Sequence, residues 1–182
     1  SGIGRIREFW GNVPQVIKAY SWSRAMGATG IEEAAEISVI ANNYMEVRLL
    51  KIPGIAKSHS KIDGFRMEMT RYSIEKITED TGVTVEDVSH RMVDFGIDAP
   101  WLAHHPWIVP EPFTPEAGET YSKEDIDYWI DVLAEIVGEA YTNPEIVKSA
   151  PHRQAISRIK SGPLDDPEKW AMTWRAYLRK NG

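Results

Sequence analysis

The sequence contains no cysteine. That excludes disulfides, a thiolate nucleophile and every cysteine-ligated metal site. No run approaches the roughly 18 apolar residues that cross a bilayer, so no membrane partner is expected. Positive charge is scarce as well: 21 Lys and Arg stand against 27 Asp and Glu, for a net charge of -6. With a pI near 5.4 and no basic run, nucleic acid is not an expected partner. There is no phosphate-binding loop, dinucleotide glycine fingerprint, zinc-protease pair or serine elbow. Gly2-Ile3-Gly4 lacks the third glycine and a preceding strand. The chain opens on Ser1 with no initiator Met, signal or transit peptide, as a tag scar, a processed fragment or a piece of something longer would. These absences lead to an expectation of a reducing, cytoplasmic setting.

What is present is enough for one folded domain with appendages. The 182 residues are 42% hydrophobic and include 7 Trp and 7 Tyr, which require a real core and rule out disorder, collagen and a coiled coil. Residues 5–28 read as a helical region, with Val13, Val16, Ile17 and Tyr20 at helical spacing and Pro14 suited to a first turn. Met26-Gly27-Ala28-Thr29-Gly30 stops it. A second helix runs from about Ile31 to Leu50, where Ala34, Ser38 and Ala41 form a narrow face for close packing. Pro53-Gly54 ends this unit.

Beyond it, Phe65, Met67 and Met69 alternate with Arg66, Glu68 and Thr70, which predicts a half-buried strand over Phe65–Ser73. Thr84 with Asp87 forms a capping box, and Val85, Val88, Met92 and Phe95 give a helix stripe that Gly96 ends. Extended segments come next, near Trp101–Ala103 and Trp107–Phe113. Ser122 opens the most regular helix, with Ile126, Ile130, Leu133, Val137 and Ala140 on its stripe. Asn143-Pro144 starts a short helix through Val147, and Trp170, Trp174 and Tyr177 share a face near the end. The fold class expected is α+β. A helical connector over 1–54 packs on a partner domain, a strand-helix-strand-strand-helix sandwich occupies 55–155, and an irregular tail with a short aromatic helix fills 156–182.

Candidate functional side chains are few. Arg66, on the strand face opposite the methionines, would clamp a carboxylate bidentately if that face lined a cleft; the alternative is an exposed strand arginine. His104-His105 lie on an extended segment and point to opposite faces, so they do not chelate one ion, but His104 is a candidate to face a cleft. No metal site is expected. Asn12 suits a helix cap at Val13-Pro14, near Arg5 and Arg7. Glu116 and Glu119 flank Gly118 in a proline-rich loop. His59 reads as a loop histidine in solvent, and His152 as a hydrogen-bonding residue of the tail.

Several landmarks resemble the C-terminal part of the glycine decarboxylase P-protein, the pyridoxal-phosphate subunit of the glycine cleavage system. They are Ile3-Gly4-Arg5-Ile6, Phe9-Trp10-Gly11-Asn12, Arg24, Gly27-Ala28-Thr29-Gly30 and Asn43-Tyr44-Met45. The similarity is clearest from Arg91-Met92-Val93-Asp94-Phe95-Gly96 through Ala99-Pro100. It continues through Val109-Pro110-Glu111, Glu116, Glu119-Thr120, Ser122-Lys123, Asn143-Pro144-Glu145 and Ala150-Pro151-His152. Order and spacing carry it over most of residues 2–155. The sequence departs from the family pattern at Met67-Glu68-Met69, where the family has His-Glu-Phe, at Asp98 in place of a histidine, and in the loop Glu116–Ser122.

The resemblance implies the small C-terminal domain of a fold-type I pyridoxal-phosphate enzyme, an oxidoreductase or lyase. It implies that the cofactor sits mainly on another chain or domain, because no lysine here matches the Schiff-base lysine. The chain would line the cleft in which glycine or another small amino acid is decarboxylated, as one part of a heteromeric complex. A lipoyl carrier protein would be a further partner. Arg66, His104 and Asn12 would be the cleft candidates, Glu116 would shape the cleft edge, and Arg5 would anchor the domain junction. The altered motifs leave open a different pyridoxal-phosphate reaction on a bulkier amino acid, a non-catalytic partner subunit, or an autonomous binding domain.

Overall fold

The computed structural model describes residue 4 and residues 11–61, 64–67, 69–97, 103, 107–158 and 173–181. Its first element, α1 (Val13–Leu49), is a helical span of 37 residues whose backbone leaves helical geometry at Gly27, with φ 66° and ψ −177°. The glycine stop read from the sequence is therefore a break within one span and not a connecting loop. Asn12 caps the start, its Oδ1 accepting from the Gln15 N–H at 3.3 Å. Burial along α1 is one-sided in sequence: Ala41, Asn42, Asn43, Met45, Glu46 and Leu49 are buried, all in its last three turns. Val13, Val16, Ile17 and Tyr20 keep the helical spacing but stay exposed.

The sheet is small and antiparallel, in the order β1 (Ala56–Lys57), β2 (Tyr72–Ser73), β3 (Pro112–Phe113). Lys57 pairs with Tyr72, and Tyr72 with Phe113. Around it lie α2 (Glu75–Thr81), α3 (Val85–Val93), α4 (Lys123–Thr142), α5 (Pro144–Lys148) and, near the end, α6 (Trp174–Asn181). Both predicted openings hold: Thr84 with Asp87 and Ser122 with Asp125 form reciprocal capping boxes. The stripe of α4 is buried as expected, with Val132 and Ile136 added. A run of rings joins helix to sheet. Phe113 stacks on Tyr72 at 5.2 Å between centroids and faces Trp129 of α4 at 6.4 Å.

Three expectations need correction. The strand expected over Phe65–Ser73 shrinks to Tyr72–Ser73, and its apolar series faces outward, Phe65 being 75% and Met67 82% exposed. Alternation alone is not enough here, because the main chain at Arg66 is held by a side chain and not by a neighbouring strand. The short β1 and α2 escaped the sequence reading, since α2 buries only Ile77 and so carries no stripe. Of the two extended segments, the second narrows to β3 and most of the first lies outside the described residues, as does Trp170. Trp174 and Tyr177 do share a face, stacked at 5.2 Å.

The stretch 91–96 acts as a clamp on the chain beyond α5. Arg91 forks onto Glu139 of α4, with Nε 2.8 Å from Oε2 and Nη2 2.6 Å from Oε1, and its Nη1 reaches Asp94 at 2.9 Å. Asp94, its side chain 1% exposed, accepts the N–H groups of His152 and Arg153, both at 2.7 Å. Arg158 closes the loop by donating to Asp87 at 2.6 Å and to the Ala150 carbonyl at 2.6 Å. Burial opposes ionisation of Asp94. The Arg153 N–H, the Arg91 guanidinium and the His152 N–H outweigh it and hold the carboxyl below its ordinary value.

Because that folded value is depressed, Asp94 contributes stability that is present above the unfolded value of about 4 and is lost as pH falls through the folded one. Urea midpoints between pH 6 and pH 2 should fall for the wild type, and less steeply for Asp94→Asn. A second test concerns Gly54, at φ +86°, where an added Cβ would lie 2.5 Å from Ile77 Cγ1. Gly54→Ala should lower stability by about 1–3 kcal/mol in chemical unfolding.

Candidate functional site

Where the last turns of α1 meet β1 and β2, a cleft of about 290 Å³ opens, lined by Lys57, His59, Arg66, Thr70, Arg71 and Thr114 among others. Lys57 stands at the end of β1, and Arg71 immediately before β2. Arg71 is flanked by the buried Thr70 and Tyr72, Lys57 is itself half-buried, and both contribute to the cleft wall. Arg71 Nε donates to Thr114 Oγ1 at 3.4 Å, and Ser58 Oγ lies 2.8 Å from His59 Nδ1. The described lining holds no carboxylate.

The carboxylate lies behind it. Glu46, on α1 with a side chain 7% exposed, accepts from Lys57 Nζ at 2.6 Å and from Thr70 Oγ1 at 2.7 Å. One turn earlier, Asn43 pairs with the main chain of Arg66. Its Oδ1 accepts the Arg66 N–H at 2.9 Å, and its Nδ2 donates to the Arg66 carbonyl at 2.7 Å and to the Val39 carbonyl at 2.7 Å. Burial pushes the neighbouring Tyr72 phenol well above the usual tyrosine range, so it stays a neutral O–H.

A second cleft of about 560 Å³, with no Lys or Arg in its described lining, is lined by Met45, Ile97, Pro115, Glu116, Tyr121, Trp129 and others. It adjoins the first along the segment 114–117. On the surface between α1 and α4, Asp127 gathers Lys123 Nζ at 2.5 Å, Arg48 Nη1 at 2.7 Å and the Tyr44 hydroxyl. Those three groups hold its carboxyl below the ordinary value.

The residues expected to act together do not all converge. Arg66 lines the first cleft, half-buried, though from an irregular segment and not from a strand. Glu116 is exposed on the rim of the second cleft, consistent with shaping an edge. Asn12 caps α1 at its exposed beginning. Arg5 and His104 lie outside the described residues. Lys57, Arg71 and Asn43 were missed as site residues. Of the three only Asn43 carried a signal, as part of the family landmark Asn43-Tyr44-Met45.

Pyridoxal phosphate needs an amine for its aldehyde and a phosphate cup. Two described lysines stand beside clefts, Lys57 and Lys76, and both are taken, Lys57 by Glu46 and Lys76 by Asp80. The described residues therefore do not fit a self-contained cofactor site. Among them no group of His, Asp or Glu is arranged to hold a metal ion, and no helix is long and apolar enough to cross a membrane.

The family model for the glycine dehydrogenase C-terminal domain matches residues 34–163, a stretch that takes in both clefts. A probable glycine dehydrogenase (decarboxylating) subunit 2 from Thermococcus gammatolerans is 39% identical over 97% of this chain and 34% of its own length. The corresponding protein of Thermotoga maritima is 38% identical over 86% of this chain and 32% of its own. The chain thus spans about a third of the length of the curated relatives it matches. A crystal structure of glycine decarboxylase (P-protein) of the glycine cleavage system, in inhibitor-bound form, superposes with a TM-score of 0.59 at 18% identity, covering 71% of this chain and 28% of that one. At that identity it bears on the fold alone, which is the α+β arrangement of helices around a small antiparallel sheet.

The matched stretch contains the buried pair Glu46–Lys57. Removing one partner of such a pair leaves a desolvated charge behind. Glu46→Ala should therefore cost about 3–5 kcal/mol in chemical unfolding, and Glu46→Ala with Lys57→Met should recover part of it.

Proposed function

Because the chain belongs to the glycine dehydrogenase C-terminal domain family, we propose that it forms one wall of the substrate cleft of a glycine-decarboxylating pyridoxal-phosphate enzyme. The observation that carries this reading is the match over residues 34–163, the stretch that contains the basic cleft, Lys57 and Lys76. Those lysines are already ion-paired, so the cofactor is assigned to another part of the enzyme, whether a separate subunit or a further domain. When bound there, pyridoxal phosphate would supply the electron sink for the pair left on the α-carbon as the carboxylate departs as carbon dioxide.

This chain's own contribution is binding and orientation. Arg66 meets the substrate carboxylate as a fixed cation, and Glu116 shapes the neighbouring edge. Arg5 and His104, which lie outside the described residues, keep the roles the family resemblance implies, the first as an anchor at the junction with the cofactor-bearing part and the second as a cleft candidate. Residues 1–54 act as the connector to that part, since Val13, Val16, Ile17 and Tyr20 present an apolar series that this domain leaves exposed. Residues 55–155 form the small domain and 156–182 an appended tail. Turnover takes place in the cytoplasm, and a lipoyl carrier is the acceptor class to be tried first.

Co-expression with the cofactor-bearing part of a glycine dehydrogenase tests the reading. The chain alone should be colourless, and the assembly should show the visible band of bound cofactor and release labelled carbon dioxide from carboxyl-labelled glycine. An assembly that decarboxylates a bulkier amino acid but not glycine would overturn the substrate assignment. Val16→Asp with Ile17→Asp should weaken association at least about tenfold by native mass measurement, without lowering the stability of the domain, because both side chains are exposed in it.

A further inference from the structure

The second cleft differs from the first in sign. At about 560 Å³ it has the size of a small-molecule site. Met45, Ala117 and Ile126, all buried, give it an apolar floor. Tyr121, Tyr128 and Trp129 supply three aromatic rings. Trp129 is backed by Phe113 at 6.4 Å between centroids, and the Tyr128 hydroxyl donates to the Phe95 carbonyl at 2.6 Å, so two of the rings are held in place. The loop that carries Glu116 and Tyr121 is tied to α1, where Ser38 donates to Glu119 at 3.1 Å.

Charge at this cleft is one-sided. Glu116 and Asp125 stand in the described lining, and no Lys or Arg does. Glu116 is exposed and has no hydrogen bond or ion pair among the described residues. Asp125 caps α4 through Oδ2, which accepts the Ser122 N–H at 3.0 Å and the Ser122 hydroxyl at 2.9 Å, and its Oδ1 is left open. Lys123, two residues before it, turns instead to Asp127 at 2.5 Å and to the Tyr44 ring at 5.2 Å. Aromatic faces and unneutralised carboxylates over an apolar floor match an ammonium group on an aliphatic stem. A carboxylate or phosphate would meet like charge here, and a purely apolar ligand would desolvate the two acids without pairing them.

We infer that this cleft is a binding site for a primary alkylammonium ion, with the stem on Met45, Ala117 and Ile126 and the head between the aromatic rings and Glu116. A lysine side chain of a partner protein and a free aliphatic amine share that chemistry. The site is independent of the reaction proposed for the first cleft.

Titration of the intact chain with n-butylammonium, followed by NMR at the Trp129 indole N–H, tests it. A saturable shift is expected, with a Kd on the order of 1–10 mM. n-Butanol should bind at least about threefold more weakly, and n-butyrate more weakly still. Glu116→Gln should weaken the ammonium about twofold to fivefold and leave n-butanol unchanged, a split that a merely structural role does not produce. Tyr121→Ala should weaken it as well, and both side chains are exposed, so both variants should keep the wild-type fold. Tighter binding of Nα-acetyl-lysine methylamide than of n-butylammonium would assign the site to a partner's lysine, and the reverse order to a free amine. Equal affinity for n-butanol and n-butylammonium, an ammonium Kd unchanged in both variants, or no saturable shift at all would overturn the inference.

Discussion

A carboxylate buried on the last turns of a helix is the constraint around which this domain is arranged. Glu46 is 5% exposed, and an ion so placed is tolerated only when its lone pairs are taken. Lys57 takes one oxygen and Thr70 the other. Those two residues come from β1 and from the approach to β2, so satisfying one charge fixes the edge of the sheet against α1. Phe113 and Trp129 then carry the same alignment through Tyr72 to α4.

Helix α1 divides at Gly27 into a half that belongs to this domain only by chain connection and a half that closes its core. The buried half supplies the polar groups that set the cleft, and the exposed half supplies apolar surface in want of a cover. The clamp of Arg91, Asp94 and Glu139 is separate in kind. It holds residues 150–158 to α3 and α4, so that this part of the domain is stable whatever the connector meets.

Much of this was legible in the sequence wherever the bonds are local. The capping boxes at Thr84 and Ser122 close over three residues, and the α4 stripe comes from period alone. The glycine break at 27 and the short helix at Asn143-Pro144 were likewise readable. What was not legible depends on partners far along the chain. Asn43 lies 23 residues from Arg66, and Glu46 11 from Lys57. No pattern in either segment announces the other. The same gap explains the misread strand. Phe65, Met67 and Met69 alternate as a strand does, but among the described residues no strand pairs there, and side chains hold the main chain instead, Asn43 at Arg66 and Lys57 at Gly64. The family resemblance, carried by order and spacing, reached the fold where local physics stopped. It included Asn43, in Asn43-Tyr44-Met45, but not its bonds to Arg66, and it did not reach Lys57 or Arg71, which come to line one cleft only in three dimensions.

The central claim is that a side chain on α1 replaces a strand at Arg66. Amide hydrogen exchange at that one position tests it most directly, in the full-length protein under native conditions. The account predicts that the Arg66 N–H exchanges at least about tenfold more slowly than an unstructured arginine amide, and that the protection vanishes in Asn43→Ala while the amides of α4 keep theirs. Exchange at the unstructured rate in the wild type would contradict it, as would protection that survives the loss of Asn43.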